Sequence, residues 1–296
     1  MKSKDYVKPF KKYPSAPVFL RLPFYPRTAK SVWTMVQSIF CNFFILQNAQ
    51  KLGFTKRRVV HVDHALDEEI PFTPSNVRIY LDFVWFFCRI MAMLMKRLGL
   101  KKAAPLCAAI LDFIHELYDS AATIYRYSLT TTKRPFYIAR PKFLLIHLSD
   151  PHLLCVPSLH VAIVAGIWAK VRALLADPAV SFSIEEKNAI LDEIYYGSVA
   201  ITESVLYVKQ HSINCVAGAL YMLTAAHDDG FFGAADAKAF IERLFCGADD
   251  IKNGAEQKIR AAMYEMYGSL LSQKERSAGP WQQPLHDWLD RYESAR

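Results

Sequence analysis

The sequence predicts an all-α fold: a helical bundle followed by a C-terminal helical appendage. Three observations predict it. Apolar residues recur at three- and four-residue spacing through most of the chain, and alternating strand-like runs are few. Of 296 residues, 52% are hydrophobic and 13% aromatic, enough to build a sizeable core. A capping box, Ser183 with Glu186 three residues on, announces a helix start in "SIEEKN".

The elements follow in order. Residues 1–28 form a basic, Pro-rich arm with five prolines, expected to be extended. It lacks the continuous apolar core and small-residue cleavage site of a signal peptide. Its lysines, Lys2, Lys4, Lys8, Lys11 and Lys12, suit anionic lipid or a plain solubilising tail. The bundle is expected over 29–229. A helix spans about 31–52, and "VDHALDEEIPFTPSN" is a loop. Ser75-Asn76 caps a helix running to about 99. Pro105 opens a helix to about Ser128, with Leu111, Ile114, Leu117 and Tyr118 on one face and Asp112, Glu116 and Asp119 on the other. A loop, "KRPFYIARPKFLLIHLSDPHLLCVPSLH" from Lys133 to His160, leads to a helix from Pro157 to about Leu175. The Ser183 helix runs to about Lys209, and another covers 212–226. Beyond "HDDGFFGAAD" the chain turns polar and amphipathic, which marks 230–296 as the appendage.

The net charge of +8 suits an anionic partner: a phosphate ester, anionic lipid or nucleic acid. No zinc-finger spacing or other nucleic-acid motif is present, so nucleic acid is not expected. The six cysteines form no C-x-x-C pair and sit mostly in apolar runs, as small buried hydrophobes in a reducing, cytosol-facing setting. A membrane span needs about 20 mostly apolar residues. The stretch from Ser31 to Gln50 is uncharged but carries Gln37, Asn42, Gln47 and Asn48, and Tyr80 to Met95 includes Asp82 and Arg89. With a mean hydropathy of +0.08, these favour a packed bundle with shallow membrane contact. The expected location is membrane-associated, embedded or peripheral, with cytoplasm-facing termini; the alternative is a soluble cytoplasmic protein.

Chemistry on a phosphate ester needs fixed cations and N–H donors for the oxyanions, a nucleophile, and an acid for the leaving group. Lys133 and Arg140 bracket six residues and Pro141 follows. Ser158 stands where a helix begins, a favourable place for an anion. His160 is a candidate acid, and a second histidine, His211, lies downstream.

This pattern resembles the type 2 phosphatidic acid phosphatase superfamily, which includes vanadium haloperoxidases and inositol phosphorylceramide synthases. The family carries Lys, six residues, Arg-Pro; then Pro-Ser-Gly-His; then Ser-Arg, five residues, His, three residues, Asp. Lys133, Arg140 and Pro141 match the first element. Pro157, Ser158 and His160 match the second, with Leu159 replacing glycine. Ser204 and His211 match the third, with gaps of 15 and 43 residues between elements. "DEEIPFTPSNVRIY" is similar to a loop of the inositol phosphorylceramide synthase branch. The resemblance covers roughly 60–226 and implies a helical bundle of the phosphatase/haloperoxidase type.

By that resemblance, His211 attacks phosphorus to give a phosphohistidine, and His160 protonates the leaving alkoxide. Lys133, Arg140, Ser158 and Lys209 hold the oxyanions with the N–H of Leu159. The substrate is a phosphate ester or phospholipid, and no metal or other cofactor is needed. Two positions depart from the pattern. Val205 replaces arginine, and Lys209 stands one turn on as a substitute cation without a bidentate fork. Cys215 replaces the aspartate that would orient the nucleophilic histidine, and a thiol is a weak acceptor. Hydrolysis, head-group transfer to an alcohol, and a catalytically inactive lipid- or protein-binding member all remain open.

Each residue also has a plainer reading. His211 could cap a helix, and His160 could be a satisfied histidine on an apolar helix. Arg134 and Lys142 have no counterpart in the motif and are expected to be solvated or lipid-facing. "HVDH" at 61–64 and "HLSDPH" at 147–152 sit in loops and are not expected to bind metal. Phe83, Trp85, Phe86 and Phe87 read as core or lipid contacts.

Overall fold

The computed structural model describes residues 6–227, 230–252 and 254–294. The chain is all-α, as the sequence predicts. The helices are α1 (Ala16–Arg21), α2 (Ala29–Ile39), α3 (Leu46–Lys51), α4 (Val77–Tyr80), α5 (Phe83–Leu98), α6 (Leu100–Tyr127) and α7 (Pro141–Ser149). They continue with α8 (Leu159–Ala176), α9 (Ile184–Tyr207), α10 (Ile213–Ala225), α11 (Ala234–Arg243), α12 (Ala255–Arg276) and α13 (Gln283–Ser294). A π-helical segment, Phe40–Ile45, joins α2 to α3, so 29–51 is one continuous helix. Strands β1 (Val59–His61) and β2 (Leu129–Thr131) pair in parallel, Val59 opposite Leu129.

The apolar helix α8 is the centre of the bundle, packed against α5, α6, α9 and α10. Its closest approach to α6 is at Gly166, where a Cβ would stand 2.5 Å from the ring of Phe113. The capping box at Ser183 is present: its N–H donates to Glu186 and its hydroxyl accepts from the Glu186 N–H at 3.2 Å.

Several boundaries differ from the sequence reading, each for a local reason. The helix expected from Ser75 to 99 is broken at Leu81–Asp82 into α4 and α5. Pro105 lies inside α6 rather than at its start. Only Gly99, at φ 76°, separates α5 from α6. The loop after β2 contains α7, started by Pro141 at its first position. The segment expected as an extended arm is folded and docked. α1 and the Leu22–Phe24 turn lie within it, and Phe10, Val18 and Leu22 are buried. Lys2 and Lys4 lie outside the described residues. The appendage is integrated: α12 packs on α10, and Leu285 and Leu289 of α13 are fully buried.

Asp82 and Arg89, charged residues inside an apolar stretch, form a buried pair at 2.6 and 3.0 Å. Tyr6 donates its hydroxyl to Asp82 at 2.8 Å, and Arg89 Nε donates to the Pro9 carbonyl at 2.6 Å. The pair therefore fastens the N-terminal segment onto α5. Removing one member strands the other in a dry site, which costs about 3–5 kcal/mol. Asp82→Ala is expected to lower the unfolding free energy from urea titration by that amount, and an unchanged midpoint would refute the assignment.

Candidate functional site

His160 and His211 come together. His160 lies in the first turn of α8. His211 lies in the turn between α9 and α10, where Lys209 adopts a left-handed conformation (φ 54°) and the Gln210 and His211 N–H groups both donate to the Val205 carbonyl. The two helix starts are pinned to each other. Ser158 N–H donates to the Cys215 carbonyl at 3.2 Å, and Tyr125 donates its hydroxyl to the Pro157 carbonyl at 2.5 Å. The imidazole centroids stand 5.5 Å apart, at 61°. Tyr80 stacks on His160 at 4.6 Å and Phe83 lies 4.2 Å away.

Three spaces meet at this pair. His211 lines a polar cleft of about 730 Å³ with Asp63, Asp67, Lys133, Arg134 and Lys209. His160 lines an apolar groove of about 430 Å³ between α2, α5, α6 and α8. Both rings, with Asp150, His152, Cys155 and Leu159, line a small cavity of about 20 Å³ between them, room for a single water.

The cations that line the cleft differ from the expected set. Lys133 lines the cleft, and its N–H donates to Asp63 at 2.6 Å. Arg140 does not line it. The run from 133 to 140 is not helical, and seven residues in extended form reach up to about 23 Å. The two motif cations therefore part, and Arg140 becomes the residue capping α7. Arg134, expected to be solvated, lines the cleft instead. It is half-buried, donating to Gln210 at 3.2 Å and to the Asp150 carbonyl at 3.4 Å. Lys142 is exposed, as expected.

Lys209 lines the cleft, but its ammonium already donates to the carbonyls of Asp67 and Ile70. Burial lowers its pKa. Ser158 is fully buried, its hydroxyl has no hydrogen-bond partner, and it lines none of the three spaces. Leu159 turns its side chain to the groove and the small cavity. Val205 is buried and acts through its carbonyl.

Cys215 is not an orienting group. Its sulfur accepts the Ser212 N–H at 3.3 Å within the cap of α10. The backbone of Cys155 favours the protonated form of the His211 ring, whose Nδ1 is buried without a hydrogen-bond partner. Burial outweighs this and pushes His211 down to about 4. His160 is also held well below its ordinary value, by burial first and by His211 second. Both rings are neutral at pH 7.

Two residues escaped the sequence reading. His152, at φ 61°, is buried beneath the pair, 2.8 Å from the Thr132 hydroxyl. Asp150 accepts the His152 N–H at 2.9 Å, and burial raises its pKa. "SDPH" carries the signal: an aspartate bonding the N–H two residues on makes an Asx turn. Across the cleft, Asp67 accepts the Ile213 N–H at the start of α10, at 3.0 Å. Burial raises its pKa too.

No family model matches the chain, and no curated protein or solved structure matches it.

The depressed His211 value has a stability consequence. Below about pH 6.5 the unfolded chain takes up a proton that the folded His211 refuses until about pH 4. Stability therefore falls as pH drops through that window, and His160 adds in the same direction. Urea titrations at pH 7.5 and pH 5 are expected to show a larger acid loss in the wild type than in His211→Asn. Equal losses would contradict the neutral buried ring.

Proposed function

We propose that the chain is a phosphoric ester hydrolase of the type 2 phosphatidic acid phosphatase kind, acting on a lipid-linked phosphate ester. One observation carries this reading: His160 and His211, 51 residues apart, share a small cavity, with His211 also lining a charged cleft and His160 an apolar groove. A phosphate at the junction would have Lys133 and Arg134 on one side and room for an aliphatic chain on the other.

In this mechanism neutral His211 attacks phosphorus and the P–O bond to the alcohol breaks. His160 gives its proton to the departing oxygen. The bound dianion raises the His160 pKa, and the faces of Tyr80 and Phe83 stabilise its imidazolium. Water, deprotonated by His160, then attacks the phosphohistidine and releases phosphate and free His211. An alcohol in place of water would give a new phosphate ester. An attacking distance and an acid hydrogen bond of about 3 Å each put the ring nitrogens roughly 6 Å or more apart. Rings 5.5 Å apart by centroid, around a one-water cavity, must swing open to admit the phosphate.

An inactive phospholipid-binding member is the second reading. It is favoured by the commitment of Lys209 to backbone carbonyls and by the buried Ser158 hydroxyl.

Phosphate release from phosphatidate vesicles and from a soluble aryl phosphate separates the two. Hydrolysis predicts turnover that falls at least about a hundredfold in His211→Ala and in His160→Ala. Arg134→Ala is expected to raise KM roughly tenfold, while Arg140→Ala leaves the kinetics unchanged. Wild-type release no faster than in His211→Ala would select the inactive reading.

A further inference from the structure

The helix from Ala29 to Lys51 is built inside out for a protein in water. Trp33, Val36, Phe40 and Phe44 form a stripe on its outer face, 40–59% exposed, with Ile45 beside it. The opposite face, turned to the core, carries Ser31, Ser38, Asn42 and Gln47, all buried. Ser38 and Asn42 are satisfied internally, while the Gln47 amide is buried without a hydrogen-bond partner. Asn42 donates to Asp119 of α6 at 2.6 Å and to Ser38 at 3.0 Å, Ser38 donates to Asp119, and Arg126 donates to the Asn42 carbonyl oxygen. Polar groups within and aromatic groups outside is the arrangement that suits an apolar surrounding.

The patch extends beyond one helix. Phe19 and Leu20 of α1, Phe24 after it, and Leu52 and Phe54 past α3 are 49–80% exposed. Trp85 of α5 joins through its ring, edge-on to Phe19 at 5.9 Å.

The charge around the patch has one sign. Residues 6–62 contain ten lysines and arginines and no aspartate or glutamate. The first 62 residues carry a formal charge of +11, and the remaining 234 carry −3. The whole positive excess thus sits in the segment that bears the patch. Arg21, Arg27, Lys30, Lys51 and Lys56 are exposed around its ends. An anionic bilayer surface matches both features, taking the aromatic stripe into its acyl boundary and the cations at its headgroups.

The mode is set by the neighbouring helix. α6 packs along α2 and exposes Glu116 as well as Asp112, and Lys96 is exposed near the end of α5. Carboxylates so placed keep α6 out of hydrocarbon. Length and composition alone would let 29–51 cross a bilayer, as they would α8, but α8 is mostly buried.

We propose that the face formed by α1, the 29–51 helix and Trp85 lies in the plane of an anionic membrane leaflet as a monotopic anchor. This holds whether or not the histidines are catalytic. The apolar groove is lined by the same Phe19, Trp33, Val36 and Phe44, so its mouth meets the acyl boundary.

Vesicle flotation tests it, on phosphatidylcholine alone and with a fifth of phosphatidylserine. Binding is expected on the anionic vesicles and is weakened by salt. Trp33→Ser with Phe40→Ser lowers the partition roughly tenfold on both compositions where binding is measurable. Lys30→Glu with Lys51→Glu acts on the anionic vesicles alone, by roughly fivefold for each charge lost. Both residue pairs are exposed, so an unchanged circular dichroism melt checks folding. Single cysteines at Lys30→Cys and Phe54→Cys, with Cys41→Ser and Cys246→Ser to clear the exposed thiols, report the mode. Labelling of both from outside sealed vesicles is the expected result. Protection of one end would mean a span and overturn the in-plane anchor. Absent flotation, variants without effect, or dimerisation abolished by Trp33→Ser would overturn the membrane surface itself.

Discussion

Two backbone carbonyls hold the site together. Ser158 N–H reaches the carbonyl of Cys215, and Tyr125 reaches that of Pro157. The first contact brings the start of α8 against the start of α10, and the second fastens it to α6. Everything at the junction depends on that register: His160 in the first turn of α8, His211 just ahead of α10, and the Asp150–His152 turn beneath them. The Cys215 backbone does the holding here, while its sulfur serves separately in the α10 cap.

The electrostatics of the cleft are balanced rather than uniformly positive. Asp63, Asp67 and Glu68 line it together with Lys133, Arg134 and Lys209. Asp67 already accepts the Ile213 N–H at the start of α10, a place that favours negative charge. Arg134 and Lys209 both donate to protein oxygens, so much of the positive charge of the cleft is answered from within the fold.

Much of this was legible in the sequence, and the limits have physical causes. Periodicity revealed the helices because burial on one face imposes 3.6-residue spacing. The box at Ser183 was readable because both partners lie within four residues. The meeting of His160 with His211 followed from motif order. The cation pair did not: Lys133 and Arg140 would share a face only on a helix, and the chain between them is irregular. Arg134 lines the cleft where spacing placed Arg140. The turns at His152 and Lys209 were hidden because a left-handed residue that is not glycine leaves little trace in composition. The uncharged stretch from Ser31 to Gln50 was visible, and its polar residues counted against a span. That Ser31, Ser38, Asn42 and Gln47 turn inward is visible only in the fold.

The docking of the N-terminal segment bears on how the molecule assembles. The Phe10 N–H donates to Glu193 of α9, 183 residues away, and Pro9 fills the space above Gly197, where a Cβ would stand 2.4 Å from its ring. The cradle that receives Pro9 does not exist until α5 and α9 have come together. The segment around Pro9 precedes both helices in the chain, so during synthesis it is made well before the surface that receives it. Its final docking is therefore a late event, one that closes the bundle rather than starting it.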